Sequence, residues 1–72
     1  MEMALKEEVG KKIAQLRKEK RWSQDELAQK SGIGKSHIGR IELGRYSVGL
    51  DTLQKICDAL EVTIELKTKA AE

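Results

Sequence analysis

The stretch QDELAQKSGIGKSHIGRIE, residues 24–42, decides the fold of this chain. Ser23 stands just before it and Glu26 three residues further on, the S-x-x-E spacing of a capping box. The serine hydroxyl accepts the backbone N–H of Glu26, and the Glu26 carboxylate accepts the N–H of Ser23. Trp22 and Leu27 fall at the two positions of a hydrophobic staple. Leu27 and Ala28 form the apolar face of a first short helix. Gly32 comes where the chain must turn, since glycine alone takes a positive φ without steric cost. Gly34 can open a second helix as its N-cap. Ile38 and Ile41, three apart, turn the inner face of that second helix toward the first. Lys35, Ser36, His37 and Arg40 are then left outside, as short or basic donors in the first turns of an exposed helix.

The stretch resembles the helix-turn-helix of the phage-repressor and Cro type, the XRE family. The residues that carry the resemblance are Gln24, Leu27, Ala28, Gly32, Ile33, Ile38, Ile41, Glu42 and Gly44. The resemblance implies an all-α, compact, lambda-repressor-like DNA-binding domain of four to five helices. It also implies roles for individual residues. Gln24 contacts a phosphate and braces the recognition helix. Lys35, Ser36 and Arg40 occupy base-facing positions, with His37 beside them. Arg45, Tyr46 and Ser47 lie in a loop that meets the phosphate backbone. Arg17 pairs with Glu42 at the end of the recognition helix; the alternative is a solvated surface arginine. Where relatives often carry proline, near residue 48, this chain has valine.

Outward toward the N-terminus, Leu5, Val9, Ile13 and Leu16 recur in steps of four, four and three, which predicts one amphipathic helix from Leu5 to about Lys20. The first four residues are expected to fray. Gly10 weakens this helix by about 1 kcal/mol relative to alanine. It allows a close approach, either of a neighbouring helix or of a DNA backbone.

Outward in the other direction, Gly44 is placed to end the second helix of the motif. Leu53, Ile56, Cys57 and Leu60 then give the stripe of a last helix over 50–60, with Leu50 capping the core from its first turn and Asp51 near its positive end. Cys57 reads as a small buried hydrophobe. Beyond it Val62, Ile64 and Leu66 alternate with Thr63, Glu65 and Lys67, a period of two that predicts a short C-terminal β-strand over 62–68. A lone strand needs a partner, and a second copy about a two-fold axis would supply one, making Val62, Ile64 and Leu66 a dimer seam. Such a tail resembles that of antitoxin-type repressors. A short fifth helix is the alternative.

Composition sets the remaining bounds. At 72 residues the chain holds a single helix-turn-helix domain with a thin core, and association with a second copy would help to stabilise it. Charged residues make up 36% and aromatics 3%, which favours helices over a β-sandwich. The net charge of +2 conceals an asymmetry: residues 11–45 hold ten Lys and Arg against four Asp and Glu. That surplus is the footprint of a phosphate-binding face. A single cysteine and a single histidine offer no disulfide and no metal site, so no cofactor is expected. No apolar run suits a membrane span or a signal peptide, and a cytoplasmic location follows. No set of nucleophile, base and orienting group can be assembled, so no enzyme is expected, and the length leaves no room for a small-molecule effector pocket.

The expected function is sequence-specific binding of double-stranded DNA by a homodimer at a pseudo-palindromic operator, as a transcriptional repressor. Three alternatives stand beside it. They are an antitoxin that also holds a toxin protein, a restriction–modification controller, and a protein-interaction module that has lost DNA binding.

Overall fold

A computed structural model of the chain describes residues 5–65. The first helix, α1 (Leu5–Glu19), carries Glu7 and Glu8 in its first turn and Arg17 and Lys18 in its last, charges that complement the helix dipole at both ends. Its inner face buries Ile13, with Val9 and Leu16 packed at the margin. Leu5, expected on the same stripe, is 73% exposed. Periodicity marks the side of a helix that faces inward, but not where the neighbouring element stops. The chain leaves α1 through Arg21, a residue in the left-handed conformation at φ 61. The N–H groups of Arg21 and Trp22 donate back to the carbonyls of Lys18 and Arg17, so the helix end is satisfied despite the unfavourable backbone at Arg21.

The second helix, α2 (Gln24–Ser31), starts with the capping box in full: Glu26 N–H donates to Ser23 Oγ at 3.0 Å, and Ser23 N–H to Glu26 Oε1 at 2.8 Å. It ends at Gly32, at φ 75, with the N–H groups of Gly32 and Ile33 both donating to the carbonyl of Ala28. Three residues later α3 (Lys35–Glu42) begins, with Gly34 as its N-cap. It closes in a Schellman motif: Arg45 N–H donates to Arg40 O, Gly44 N–H to Ile41 O, and Gly44 takes φ 76. Gly44 is buried there, and a Cβ on it would press within 2.7 Å of the Glu7 side chain on α1. The last helix, α4 (Leu50–Leu60), ends at Glu61, again left-handed at φ 62, whose carboxylate pairs with Lys20.

The core gathers one or two side chains from each helix: Ile13 from α1, Leu27 from α2, Ile38 and Ile41 from α3, Ile56 and Leu60 from α4. α1 packs on α3, and α2 packs on both α3 and α4. At the α1–α3 crossing the two backbones come close. A Cβ built on Gly10 would fall on the carbonyl oxygen of Ile41 and reach within 3.0 Å of that of Glu42. Of the two explanations open for Gly10, the structure therefore selects the neighbouring helix. Leu50, expected to cap the core, is instead 78% exposed at the first position of α4.

The expected C-terminal strand is not formed among the described residues. After Glu61, Val62 turns against the core, and residues 62–65 adopt neither strand nor helix. The reason is the one that made the strand conditional: ladder hydrogen bonds need a second strand, and a single chain provides none. Leu66 and the rest of that segment, and the first four residues, lie outside the described residues. Among the described residues no helix is long and apolar enough to cross a membrane.

Candidate nucleic-acid interface

A buried ion pair sets the height of α3. Arg17 reaches from the last turn of α1 with Nε donating to Glu42 Oε2 at 2.7 Å and Nη2 to Glu42 Oε1 at 3.0 Å. Its remaining nitrogen, Nη1, donates to the carbonyl of Trp22 at 2.7 Å. The side chains of Arg17 and Glu42 keep only 11% and 6% of their exposure. Gln24 joins from the first position of α2, with Nε2 donating to Glu42 Oε1 at 3.0 Å. One carboxylate thus ties together three helices, and every donor around it is aimed by a planar group, which suits a bidentate arginine and not a lysine. The hydrogen bonds to Glu42 raise Arg17 above the ordinary guanidinium range, burial works against this, and the Glu42 charge adds to the rise.

With Glu42, Ile38 and Ile41 turned inward, α3 presents Lys35, Ser36 and Arg40 to solvent, all exposed. Ser36 and Arg40 are one turn apart on one face, and Leu43, 69% exposed, continues that line past the helix end. The Lys35 ammonium lies 3.4 Å from the Asp25 carboxylate at the start of α2. Both side chains are 61% exposed, so the pair adds at most about 1 kcal/mol and is open to exchange. Asp25 is a member of the surface that the sequence did not single out; as an acidic residue in a first helical turn it had a sufficient local explanation.

His37 departs from expectation. It is half-buried, and its Nε2 is buried with no hydrogen-bond partner among the described residues. Its ring meets that of Tyr46 edge to face, with centroids 4.5 Å apart and planes at 84°. The contact ties α3 to the loop that follows it, a role that aromatic edge-to-face geometry supports. Tyr46 is 41% exposed, and its neighbours Arg45 and Ser47 are exposed. On the flank of this surface, Lys11 and Lys18 of α1 line a shallow depression of about 510 Å³ beside Glu42. The structure thus brings Lys35, Ser36 and Arg40 together on α3, sets Arg45, Tyr46 and Ser47 in the loop after it, and withdraws His37 into packing.

Two short helices joined at a left-handed glycine, the second held outward by a buried ion pair, define a helix-turn-helix protein. The chain belongs to the helix-turn-helix family (HTH_3), which matches it over residues 13–67. No curated protein matches the chain at a significant level. Among solved structures, the restriction-modification controller protein C.AhdI from Aeromonas hydrophila is 33% identical, with a TM-score of 0.78 over 81% of this chain and 88% of its own. The clp gene regulator ClgR from C. glutamicum is 29% identical, with a TM-score of 0.82 over 86% of this chain and 80% of its own. The controller protein C.Esp1396I, solved as a tetramer in complex with its natural 35 base-pair operator, is 32% identical, with a TM-score of 0.80 over 86% of this chain and 82% of its own.

Proposed function

We propose that this chain binds double-stranded DNA sequence-specifically and regulates transcription in the cytoplasm as a homodimer, repressing its own operon. The observation that carries the reading is the exposed row of Lys35, Ser36 and Arg40 on a helix whose inner face, Ile38, Ile41 and the Glu42 carboxylate, is buried. α3 enters the major groove. Arg40 reads guanine, because its planar fork matches the O6 and N7 acceptors, while Ser36 adapts to several bases. Lys35, Arg45 and Ser47 meet phosphates, and Gln24 adds a phosphate contact at the start of α2. Tyr46, anchored on His37, presents its hydroxyl from the same loop. A two-fold dimer places two such helices about 34 Å apart, so the operator is pseudo-palindromic with half-sites one helical turn apart. Ile64, 42% exposed, and Val62, packed at the margin of the core, are available for the dimer seam.

Titration against random-sequence duplex at low and moderate salt tests the class: binding that weakens steeply with salt is expected, and no binding would leave an interaction module as the answer. Against the preferred site, Arg40→Ala should cost about 1–3 kcal/mol and relax discrimination at one base pair. Unchanged affinity and discrimination would remove Arg40 from the reading.

A restriction–modification controller is the second reading, favoured by the likeness to C.AhdI along most of both chains. A reporter driven by the chain's own upstream DNA separates the two, since a controller activates as well as represses.

A further inference from the structure

The chain holds six glycines, and five have a reason inside the molecule. Gly10 makes room for the α3 backbone, Gly32 and Gly44 take positive φ, and Gly34 and Gly49 are the N-caps of α3 and α4. Gly39 is the exception. It sits in the interior of α3, where glycine costs about 1 kcal/mol relative to alanine. Its backbone is ordinary helix, so no left-handed conformation calls for it. A Cβ built there would meet nothing nearer than Gln24 Oε1 at 3.7 Å, an ordinary van der Waals contact, among the described residues. The fold would therefore accept alanine at this position and be firmer for it.

Gly39 is surrounded on its helix by the outward residues: Lys35 and Ser36 precede it by one turn, Arg40 follows it, and Leu43 lies one turn on. It also faces Gln24, whose Nε2 is committed to Glu42 and whose Oε1 is directed at the missing side chain. The result is a notch in the surface between the start of α2 and the middle of α3. We propose that this notch is where the duplex comes closest to the protein, and that Gly39 permits this close contact by having no side chain. The inference rests on the DNA-binding reading above. It adds that the intermolecular surface, not the fold, requires a glycine here, at some expense in helix stability.

The proposal predicts opposite signs for stability and binding. The probe is the duplex that the wild-type chain enriches from a random-sequence pool. Gly39→Ala should melt at an equal or higher temperature than wild type and bind that duplex about tenfold more weakly, the penalty of one methyl group forced into a packed contact. Gly39→Leu should bind more weakly still. Equal or tighter binding by Gly39→Ala overturns the proposal. So does a lower melting temperature, since the glycine would then serve the fold, and so does an equal loss for alanine and leucine, which would point to helix stiffness instead of contact. Failure of the wild-type chain to bind random-sequence duplex at low salt is a separate result: it rejects the functional reading before any variant is compared, and this proposal falls with it.

Discussion

Arg17 and Glu42, 25 residues apart, meet through two parallel hydrogen bonds of 2.7 and 3.0 Å beneath the surface on which Arg40 is displayed. The pair joins the end of α1 to the end of α3, and Gln24 adds the start of α2 to the same carboxylate. A helix of eight residues has little stability of its own, so its position depends on such tertiary anchors.

Removing one partner should be far more damaging than removing both. Glu42→Ala leaves a buried guanidinium without its counter-charge and is expected to cost about 3–5 kcal/mol, whereas a double replacement by apolar residues of similar volume should recover much of that. Urea unfolding of the single and double variants measures it. A loss below about 1 kcal/mol for Glu42→Ala would mean that the pair behaves as a surface salt bridge.

Gly10→Ala should destabilise the chain by about 1–3 kcal/mol, toward the upper end, because the added methyl meets backbone and not the tip of a flexible side chain. Since Ile41 and Glu42 are the residues displaced, the variant should also lose DNA affinity beyond what its unfolded fraction explains. Thermal melting and binding measured well below the melting temperature separate the two effects.

Asp25→Asn should tighten DNA binding several-fold at low salt. The substitution removes a negative charge 3.4 Å from the Lys35 ammonium and leaves that lysine free for a phosphate or a base. The gain should shrink as salt is raised. Weaker binding by Asp25→Asn would show that the Asp25 pair orients Lys35 for DNA and does not compete with it.

Cys57 links stability to alkaline pH. Burial, and to a smaller degree the neighbouring Asp58 charge, push its thiol above the ordinary value of 9.0. The unfolded chain then loses this proton at lower pH than the folded one, so the Cys57 contribution is intact below pH 9 and is lost as pH rises through the folded value. Unfolding free energies at pH 7 and 10 should differ less in Cys57→Ala than in wild type. Cys57 should also react slowly with thiol reagents in the native state.

Much of the architecture was legible locally. The Ser23–Glu26 box, the left-handed turns at Gly32 and Gly44, and the inward Ile38 and Ile41 depend on residues within about one helical turn of each other, and side-chain chemistry at that range is nearly decisive. The outward placement of Lys35, Ser36 and Arg40 followed from the same spacing. His37 did not, because nothing near it in sequence announces that Tyr46, in the loop beyond the helix, will pack against its ring.

The amino-acid sequence by itself determined where each helix starts and stops and which side of α3 turns inward. Tertiary structure alone decided how close the helices lie, that Gly10 serves the Ile41 carbonyl, that Leu5 and Leu50 remain outside, and that residues 62–65 form no strand within a single chain. The physical reason is range. Caps and periodicity express interactions between near neighbours, whereas burial, ion pairing and strand formation need a partner that only the folded chain, or a second copy of it, can bring into contact.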